Sequence, residues 1–244
     1  PGAIGTQTNG SVIRPAAYCG VVGYKPGKGR ISTVGMLPFS PVLDQPGVFA
    51  RSVGDAALLA SWLTSHDAVI AHYITALRSG PRLIAVRSPV WEKAEPAMRM
   101  RFEADIGKLR EAGADVTERE LPEAFRAGHR VHRTIVLHEA ARASAAVRRR
   151  HGALLSEVLR KALEEGDLVS DRDYRAALAV RDELIAALAL FLDDHPHGAI
   201  VTPPTTGEAP TIDSTGDPAF CTLWTLCGAP AIALPTGLGP RGLP

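Results

Sequence analysis

The stretch that decides the fold runs Gly-Thr-Gln-Thr-Asn-Gly-Ser-Val-Ile-Arg-Pro, from Gly5 to Pro15. A serine that follows Thr-Asn-Gly lies where the backbone can turn sharply, because Asn9 and Gly10 tolerate positive φ angles. Successive N–H groups in such a turn can point inward and bind an anion. A hydroxyl beside them provides a nucleophile and an oxyanion site, as acyl transfer requires. Gly-Ser turns are common and mostly structural, so this stretch alone indicates chemistry only weakly.

The first fifty residues around that stretch are dense in glycine and proline and almost free of helical periodicity. This composition predicts tight turns and short buried strands. A helix is predicted to begin at Ser52, where Asp55 three residues later completes a capping-box arrangement. Residues 1–65 are therefore expected to form a core built mainly from loops and strands.

A strand–helix–strand succession is predicted next. Leu83–Val86 and Asp115–Leu121 have the composition of strands, and Glu95–Ala112 between them has a helical pattern that Gly113 closes. That order is typical of a βαβ unit in an α/β fold.

The second half of the chain is predicted to be a mostly helical middle, over about residues 95–195, followed by a closing strand–helix–strand over residues 198–236. The closing elements are expected at Gly198–Thr202, at Pro218–Cys227 and at Ala231–Pro235. No internal repeat or low-complexity linker separates these parts. Residues 1–244 are therefore interpreted as one domain.

The bulk composition limits the possible partners. Of 244 residues, 45% are hydrophobic and 22% are charged, which is enough for one domain with a sizeable core. The formal net charge is only +1, so no nucleic-acid partner is expected. No run of about 18 uncharged apolar residues occurs, and hence no membrane span is expected.

The cysteines Cys19, Cys221 and Cys227 are odd in number, far apart and without a Cys-x-x-Cys motif. This pattern favours buried free thiols in a reducing compartment over a disulfide framework or a zinc site. A cytoplasmic location is therefore expected. The chain does not begin with methionine, so the missing secretory signal adds little weight.

A longer match changes the weight of the Gly5–Pro15 stretch. From there the chain resembles the amidase signature family through a nearly contiguous series of segments: Cys19–Pro26, Gly29–Arg30, Leu43–Gly47, Ala50–Val53 and Asp55–Ala57. About fifty positions with matching spacing are far more specific than a short motif. The end of the chain also resembles the family, at Thr202–Pro204, Asp217–Pro218, Leu223–Thr225 and Gly228–Ala231.

The resemblance implies an α/β fold, with a mixed β-sheet core wrapped by helices, which this chain would contain incompletely at both ends. It also implies a Ser–cis-Ser–Lys hydrolase with Ser11 at the nucleophile position. The backbone N–H groups of Thr8, Asn9, Gly10 and Ser11 itself match the family's oxyanion hole. The expected partner is a small-molecule amide substrate, no metal or other cofactor is implied, and a homo-oligomer is left open.

The general base is expected to lie elsewhere. In the family a lysine acts through a serine on a cis peptide bond, and both lie well before the nucleophile. Only ten residues precede Ser11, so neither partner is expected here and the piece is expected to be inactive alone. Lys25 and Lys28 match other family positions and are not expected to be the base.

Two residues depart from common family patterns. Asn9 replaces the glycine that usually precedes Gly-Ser, but it keeps the N–H group that an oxyanion hole needs. Arg14 follows Ser11 by three residues, whereas the transamidase members of the family typically read Ser-Ile-Arg. Arg14 could bind a substrate carboxylate bidentately. The alternative is a structural arginine that binds loop carbonyls and a carboxylate such as Asp44.

Three hypotheses for function follow. The first is hydrolysis of a carboxamide to a carboxylate plus ammonia or an amine by a stand-alone or malonamidase-like amidase. Cys221 and Trp224 are then candidates to line the substrate pocket, with simple packing as the alternative. The second is a non-catalytic remnant or subunit that contributes its fold to a partner. The third, the amidase-like component of a tRNA-dependent amidotransferase, is disfavoured by Thr-Gln-Thr and Ser-Val-Ile-Arg.

Several histidines are candidates for metal ligands. His129 and His132 could share a helix face, with His138 further on, but no acidic or cysteine partner is placed to complete a metal site. Surface or half-buried histidines are therefore expected. His195 and His197 follow the long helix and are expected in a loop.

Overall fold

The computed structural model describes residues 1–64, 80–194 and 198–244. The strands in these residues are β1 (Gly2–Gln7), β2 (Val22–Lys25), β3 (Gln45–Ala50), β4 (Arg82–Val86), β5 (Asp115–Arg119), β6 (Ala199–Val201) and β7 (Ala231–Ala233). The α-helices are α1 (Ile13–Cys19), α2 (Val53–Thr64), α3 (Pro96–Glu111), α4 (Gly128–Ala143), α5 (Ala145–His151), α6 (Glu157–Asp167), α7 (Asp171–Asp193) and α8 (Ala219–Leu226). The loop predicted at His195 and His197 lies outside the described residues.

Parallel and antiparallel strands both occur, as an α/β fold with a mixed core predicts, but within the described residues they form two sheets. The first sheet has the order β1-β3-β2-β7 and is antiparallel throughout. The second has the order β5-β4-β6 and is parallel. The closing strand, helix and strand predicted over residues 198–236 are all present as β6, α8 and β7, and the two strands belong to different sheets.

The predicted βαβ unit is confirmed in the second sheet. Strands β4 and β5 pair in parallel, from Arg82 opposite Asp115 to Val86 opposite Arg119, and α3 connects them. Gly113, which follows α3, has a φ of +89°, a left-handed conformation that suits glycine. The predicted start of α2 is also confirmed, because the Asp55 N–H donates to Ser52 Oγ at 3.1 Å.

The helical middle packs around α4. At the crossing with α6, a Cβ atom on Gly166 would lie 2.1 Å from the Leu137 carbonyl oxygen, so only glycine permits this close approach. The long helix α7 presents an apolar stripe that Arg181 interrupts. The Arg181 Nε donates to the Leu226 carbonyl at 2.8 Å, so the interruption ties α7 to the end of α8.

The prediction of tight turns and short buried strands over the first fifty residues misses one element, the helix α1, which begins two residues after Ser11. Pro15 lies in the first turn of α1, where a backbone N–H has no intrahelical partner to lose. Gly20 caps the other end with a φ of +63°, and its N–H donates to carbonyls of the last turn. A proline in the first turn and a glycine directly after the last turn indicate this helix in the sequence, but seven residues are too few to show periodicity.

Candidate active site

The loop from Thr8 to Ser11 connects β1 to α1 and carries the predicted nucleophile. Ser11 is exposed, whereas Val12 and Ile13 directly after it are buried. The Ser11 hydroxyl forms no hydrogen bond with any described residue. The loop therefore presents a free hydroxyl at the surface while the helix that follows it is anchored in the core.

Gln7 fixes the shape of this loop from beneath. Its side chain is almost completely buried, at 1% exposure. Its Oε1 accepts hydrogen bonds from the N–H groups of Val12 at 2.8 Å and Ile13 at 2.9 Å. Its Nε2 donates to the hydroxyl of Thr225 in α8 at 2.8 Å. Gln7 thus caps the first turn of α1 and links that turn to the closing helix.

Helix α8 also holds Asn9 at two points. The Thr225 hydroxyl donates to the Asn9 carbonyl oxygen. The Thr222 hydroxyl donates to Asn9 Oδ1 at 2.9 Å. Because the Thr225 hydroxyl also accepts from Gln7 Nε2, the residues Gln7, Thr225 and Asn9 form a continuous hydrogen-bonded chain. In a buried environment the hydrogen bonds of such a chain strengthen one another.

Gly10 contributes to the loop through close packing and not through the positive φ that a glycine tolerates. It is not among the described glycines that adopt a positive φ. A Cβ atom at Gly10 would instead lie 3.1 Å from the Cβ atoms of Cys221 and Pro218 and 3.2 Å from Cys221 Sγ. The glycine therefore allows the loop to pack closely against the start of α8, where a Cβ atom would require its neighbours to move by a few tenths of an ångström.

Thr8 is held from two further directions. Its hydroxyl donates to Asp44 Oδ1 at 2.5 Å, and Asp44 Oδ2 accepts from the N–H groups of Phe39 and Ser40. Its carbonyl oxygen accepts a hydrogen bond from His132 Nε2 of α4 at 3.0 Å. The loop is thus fixed by segments that are widely separated in sequence.

The backbone N–H groups of Asn9, Gly10 and Ser11 form no hydrogen bond to any acceptor in the described part of the chain. Backbone donors in folded proteins are almost always paired with protein or water. Three successive unpaired donors directly before and at an exposed serine have the chemistry of an oxyanion site.

Loop 39–44 is itself anchored by a buried carboxylate. Glu139 Oε2 accepts hydrogen bonds from the Ser40 hydroxyl and from the Val42 N–H, and its Oε1 accepts from the Tyr174 hydroxyl at 2.6 Å. Burial and the neighbouring Glu139 raise the pKa of Tyr174 to about 12, so its hydroxyl remains a donor. Glu139 therefore supports the loop whose Asp44 in turn holds Thr8.

Lys25 lies close to this region but does not resemble a general base. It is completely buried, and its Nζ donates to Gln45 Oε1 at 2.7 Å, to the Ala229 carbonyl at 2.5 Å and to the Pro26 carbonyl at 3.4 Å. These three acceptors use all three hydrogens of the ammonium group. Burial lowers its pKa to about 8, but the ammonium group is held in these three structural hydrogen bonds.

Arg14 shows the contact that its structural alternative predicts, although not with the expected carboxylate. Its Nη1 donates to the Gly216 carbonyl at 2.8 Å, and its Nε is buried without a partner among the described residues. Asp44, the suggested partner, bonds to Thr8 and to loop 39–40 instead. Arg14 lines neither of the two cavities described below.

A large cleft of about 1380 Å³ lies between β6 and α3 on one side and β7 and α8 on the other. Cys221 and Trp224 both line it, together with Gln7 and Ile13. Burial raises the pKa of Cys221 to about 12, so its thiol is a neutral, packed group. Ser11 does not line this cleft.

A smaller polar cavity of about 220 Å³ lies on another side of the loop. Asn9 contributes to it from the loop, and His129 and His132 contribute from α4. The expectation of surface or half-buried histidines is confirmed for His129, which is half-buried with its Nε2 bonded to the Ala219 carbonyl at 2.9 Å, and is wrong for His132, which is buried. His138 is also buried.

The pKa of His132 predicts a specific loss of stability in acid. Burial lowers that pKa from 6.5 to about 4, so its contribution is complete above pH 6.5 and is lost as the pH falls towards 4. We expect the free energy of unfolding to drop by about 3 kcal/mol more in the wild type than in His132→Gln between pH 7 and pH 4. Glutamine retains an amide N–H for Thr8 without titrating.

Urea denaturation at several pH values measures this difference. His151→Gln is the matched control, because His151 is exposed at the end of α5, and its pH profile should follow the wild type. If the free energies of unfolding of His132→Gln and of the wild type change with pH in the same way, the pKa of His132 does not differ between the folded and unfolded states.

The described residues also bear on the expectations about membrane spans, metal sites and cysteines. No helix there is long and apolar enough to cross a membrane. No group of three or more His, Cys, Asp or Glu side chains is arranged to hold a metal ion in these ranges. All three cysteines are free, but Cys19 is exposed, so the prediction of buried thiols holds only for Cys221 and Cys227.

Comparison with known proteins places this geometry in context. A protein-family model described as Amidase matches residues 1–244. A glutamyl-tRNA(Gln) amidotransferase subunit from Acidothermus cellulolyticus is 39% identical over 134 residues, covering 50% of this chain and 26% of that protein. The corresponding protein from Gluconobacter oxydans is 29% identical over 291 residues, covering 100% of this chain and 57% of that protein.

Solved structures agree over the whole chain. A crystal structure of an amidase superposes with a TM-score of 0.89 at 30% identity, covering 100% of this chain and 57% of that one. The peptide amidase from Stenotrophomonas maltophilia superposes with a TM-score of 0.76 at 27% identity and the same coverage. The chain therefore spans little more than half the length of these two relatives.

Proposed function

The chain belongs to the amidase family, and from that membership we propose that the protein hydrolyses a carboxamide through an acyl-enzyme on Ser11. The observation that carries the proposal is the loop itself. It combines an exposed hydroxyl at Ser11 with unpaired N–H groups at Asn9, Gly10 and Ser11. Gln7, Thr225 and Asp44 hold that arrangement rigidly, as preorganised catalysis requires.

The reaction has two halves. Ser11 Oγ attacks the amide carbonyl carbon while its proton passes to a base, and the carbonyl oxygen becomes an oxyanion that the loop N–H groups bind. The C–N bond then breaks, and the departing nitrogen takes up a proton to leave as ammonia or an amine. Water attacks the ester on Ser11 and releases the carboxylate, which regenerates the hydroxyl.

The general base of the proposed reaction is assigned to neither Lys25 nor Lys28. Lys25 and Lys28 donate to backbone and side-chain oxygens, and the family resemblance gives the role to a lysine and a bridging serine that lie before the nucleophile. We also propose a cytoplasmic location, because the free cysteines Cys19, Cys221 and Cys227 favour a reducing compartment.

Trapping the acyl-enzyme tests the proposal directly. The natural open reading frame that contains residues 1–244 is expressed, supplied with a panel of small carboxamides, and quenched with acid during turnover. Mass spectrometry is expected to find the substrate's acyl group on the peptide that contains Ser11. Ammonia release with an adduct on another residue, or with none under burst conditions, would refute the assignment.

A second candidate function rests on the curated relatives. Those from Acidothermus cellulolyticus and Gluconobacter oxydans are subunits of a glutamyl-tRNA(Gln) amidotransferase. In that case the same Ser11 chemistry would release ammonia for a partner. Glutamine hydrolysis that appears only with a co-purifying, ammonia-accepting partner would favour this function, whereas turnover of simple amides by the isolated protein favours the first.

A further inference from the structure

The polar cavity of about 220 Å³ beside the Ser11 loop is lined by side chains to which the acyl-transfer steps assign no role. Its polar lining residues are Asn9, Lys93, His129, His132, Arg133, Asp217 and Thr222. Asn9 lies two residues before Ser11, and two residues of chain span at most about 7 Å. A group bound in this cavity is therefore close to the reacting serine.

Asn9 offers this cavity an unused donor. Its Oδ1 accepts from the Thr222 hydroxyl at 2.9 Å, which orients the side-chain amide. Its Nδ2 donates to no acceptor among the described residues. The glycine that the family commonly has at this position would offer no side chain, so Asn9 adds a donor that is particular to this chain.

Lys93 and Asp217 also leave the cavity with donors in excess. Asp217 Oδ2 accepts from Lys93 Nζ at 2.8 Å, and Asp217 Oδ1 accepts from the Ala219 N–H at 2.9 Å. Both carboxylate oxygens are thus occupied. The ammonium group of Lys93 has three hydrogens, and only one is used within the described part of the chain.

A cavity with spare N–H donors suits a ligand rich in acceptors. We propose that this cavity binds a carboxylate on the acyl part of the substrate, with Asn9 Nδ2 and Lys93 Nζ as the donors and Thr222 as the residue that positions Asn9. This inference rests on the proposed function and names the substrate class of the same site. Asn9 and Lys93 then determine specificity for acidic amides, whereas Arg14 remains a structural residue bonded to Gly216.

The test uses the whole protein and two amides of similar size, anionic succinamic acid and neutral butyramide. Asn9→Asp keeps the shape of the side chain but replaces the donor with a repelling carboxylate. We expect kcat/KM for succinamate to fall at least about tenfold more than kcat/KM for butyramide, whose own loss measures any disturbance of the oxyanion site to which the Asn9 N–H belongs. Lys93→Met should act in the same direction, and Thr222→Val should lower the preference for succinamate partly, because it releases the Asn9 amide.

Arg126→Met is the matched control, because it removes a cation from an exposed ion pair of the same 2.8 Å length, with Glu123, that lies outside the cavity lining. It should leave both substrates unchanged. Equal losses for both amides in Asn9→Asp and Lys93→Met would overturn the proposal. So would a preference for succinamate that Arg14→Met removes and the cavity variants leave intact.

A binding measurement separates this proposal from the assignment of Ser11. Calorimetry on Ser11→Ala gives the Kd of succinamate without turnover, and adding Asn9→Asp should raise that Kd about tenfold. If Ser11→Ala still hydrolyses amides but the Kd shifts as expected, the nucleophile assignment fails and the cavity assignment stands. An unchanged Kd overturns the cavity assignment whatever the activity.

Discussion

Ser11→Ala in the whole protein is expected to lower kcat/KM for amide hydrolysis by about four orders of magnitude or more, because it removes the atom that carries the acyl group. The same change should leave stability almost untouched. The Ser11 hydroxyl is exposed and has no hydrogen-bond partner among the described residues, so alanine leaves no buried group unsatisfied.

Ammonia release and thermal unfolding, measured on one preparation, check both halves of this expectation. Ser156→Ala is the reverse control: Ser156 caps α6 by accepting from the Leu159 N–H, so alanine should cost about 1 kcal/mol of stability and no activity. A Ser11→Ala variant within about tenfold of wild-type kcat/KM would show that the loop does not carry the nucleophile. A variant that unfolds would show an undetected structural role.

Glu139→Ala is expected to produce the largest loss of stability, about 3 kcal/mol or more. The substitution would leave the buried Ser40 hydroxyl and the half-buried Val42 N–H and Tyr174 hydroxyl without their acceptor, and each such group costs about 1 kcal/mol. Activity should fall as well, since loop 39–44 carries the Asp44 that holds Thr8.

Urea denaturation of a graded series tests this expectation. Tyr174→Phe removes one donor and should cost about 1 kcal/mol, whereas Glu139→Gln keeps one oxygen acceptor and should fall between that variant and Glu139→Ala. Glu183→Ala on the exposed face of α7 should change stability by less than about 0.5 kcal/mol. If Glu139→Ala resembles Glu183→Ala, the buried carboxylate contributes no net stability.

Local signals predict most of the elements. Short apolar runs around a capped helical pattern predict the βαβ unit, and Ser52 with Asp55 predicts the start of α2; both are confirmed. These features depend on neighbours within a few residues, which the sequence displays directly. The short helix α1 escapes prediction because two turns cannot establish a period.

The arrangement of the closing elements cannot be predicted in the same way. The sequence pattern predicts strands β6 and β7 but not their sheets, and the structure places them in two different ones. Sheet membership is decided by pairing with β4 and β2, which are distant in sequence. Nothing in the three or four apolar residues of such a strand identifies its partner.

The candidate site can also be predicted from the sequence only in part. The Ser11 loop is predicted by its own residues and by its resemblance to a family, but the residues that hold it are not. Gln7, His132 and Thr225 look like ordinary polar residues of a strand and two helices, and only the fold brings them together. One signal is present in the sequence. Gln7, Thr222 and Thr225 are polar residues at positions otherwise occupied by apolar residues, which suggests buried hydrogen bonds.

The link between Gln7 and Thr225 also dictates when the site can form during protein synthesis. These residues are 218 positions apart, and Thr225 and Asn9 are 216 apart. A ribosome makes about 5 to 20 residues per second, so the Ser11 loop waits at least about ten seconds for α8. A nascent or prematurely terminated chain therefore carries the serine without its supports, and the proposed active site can form only after α8 has left the exit tunnel.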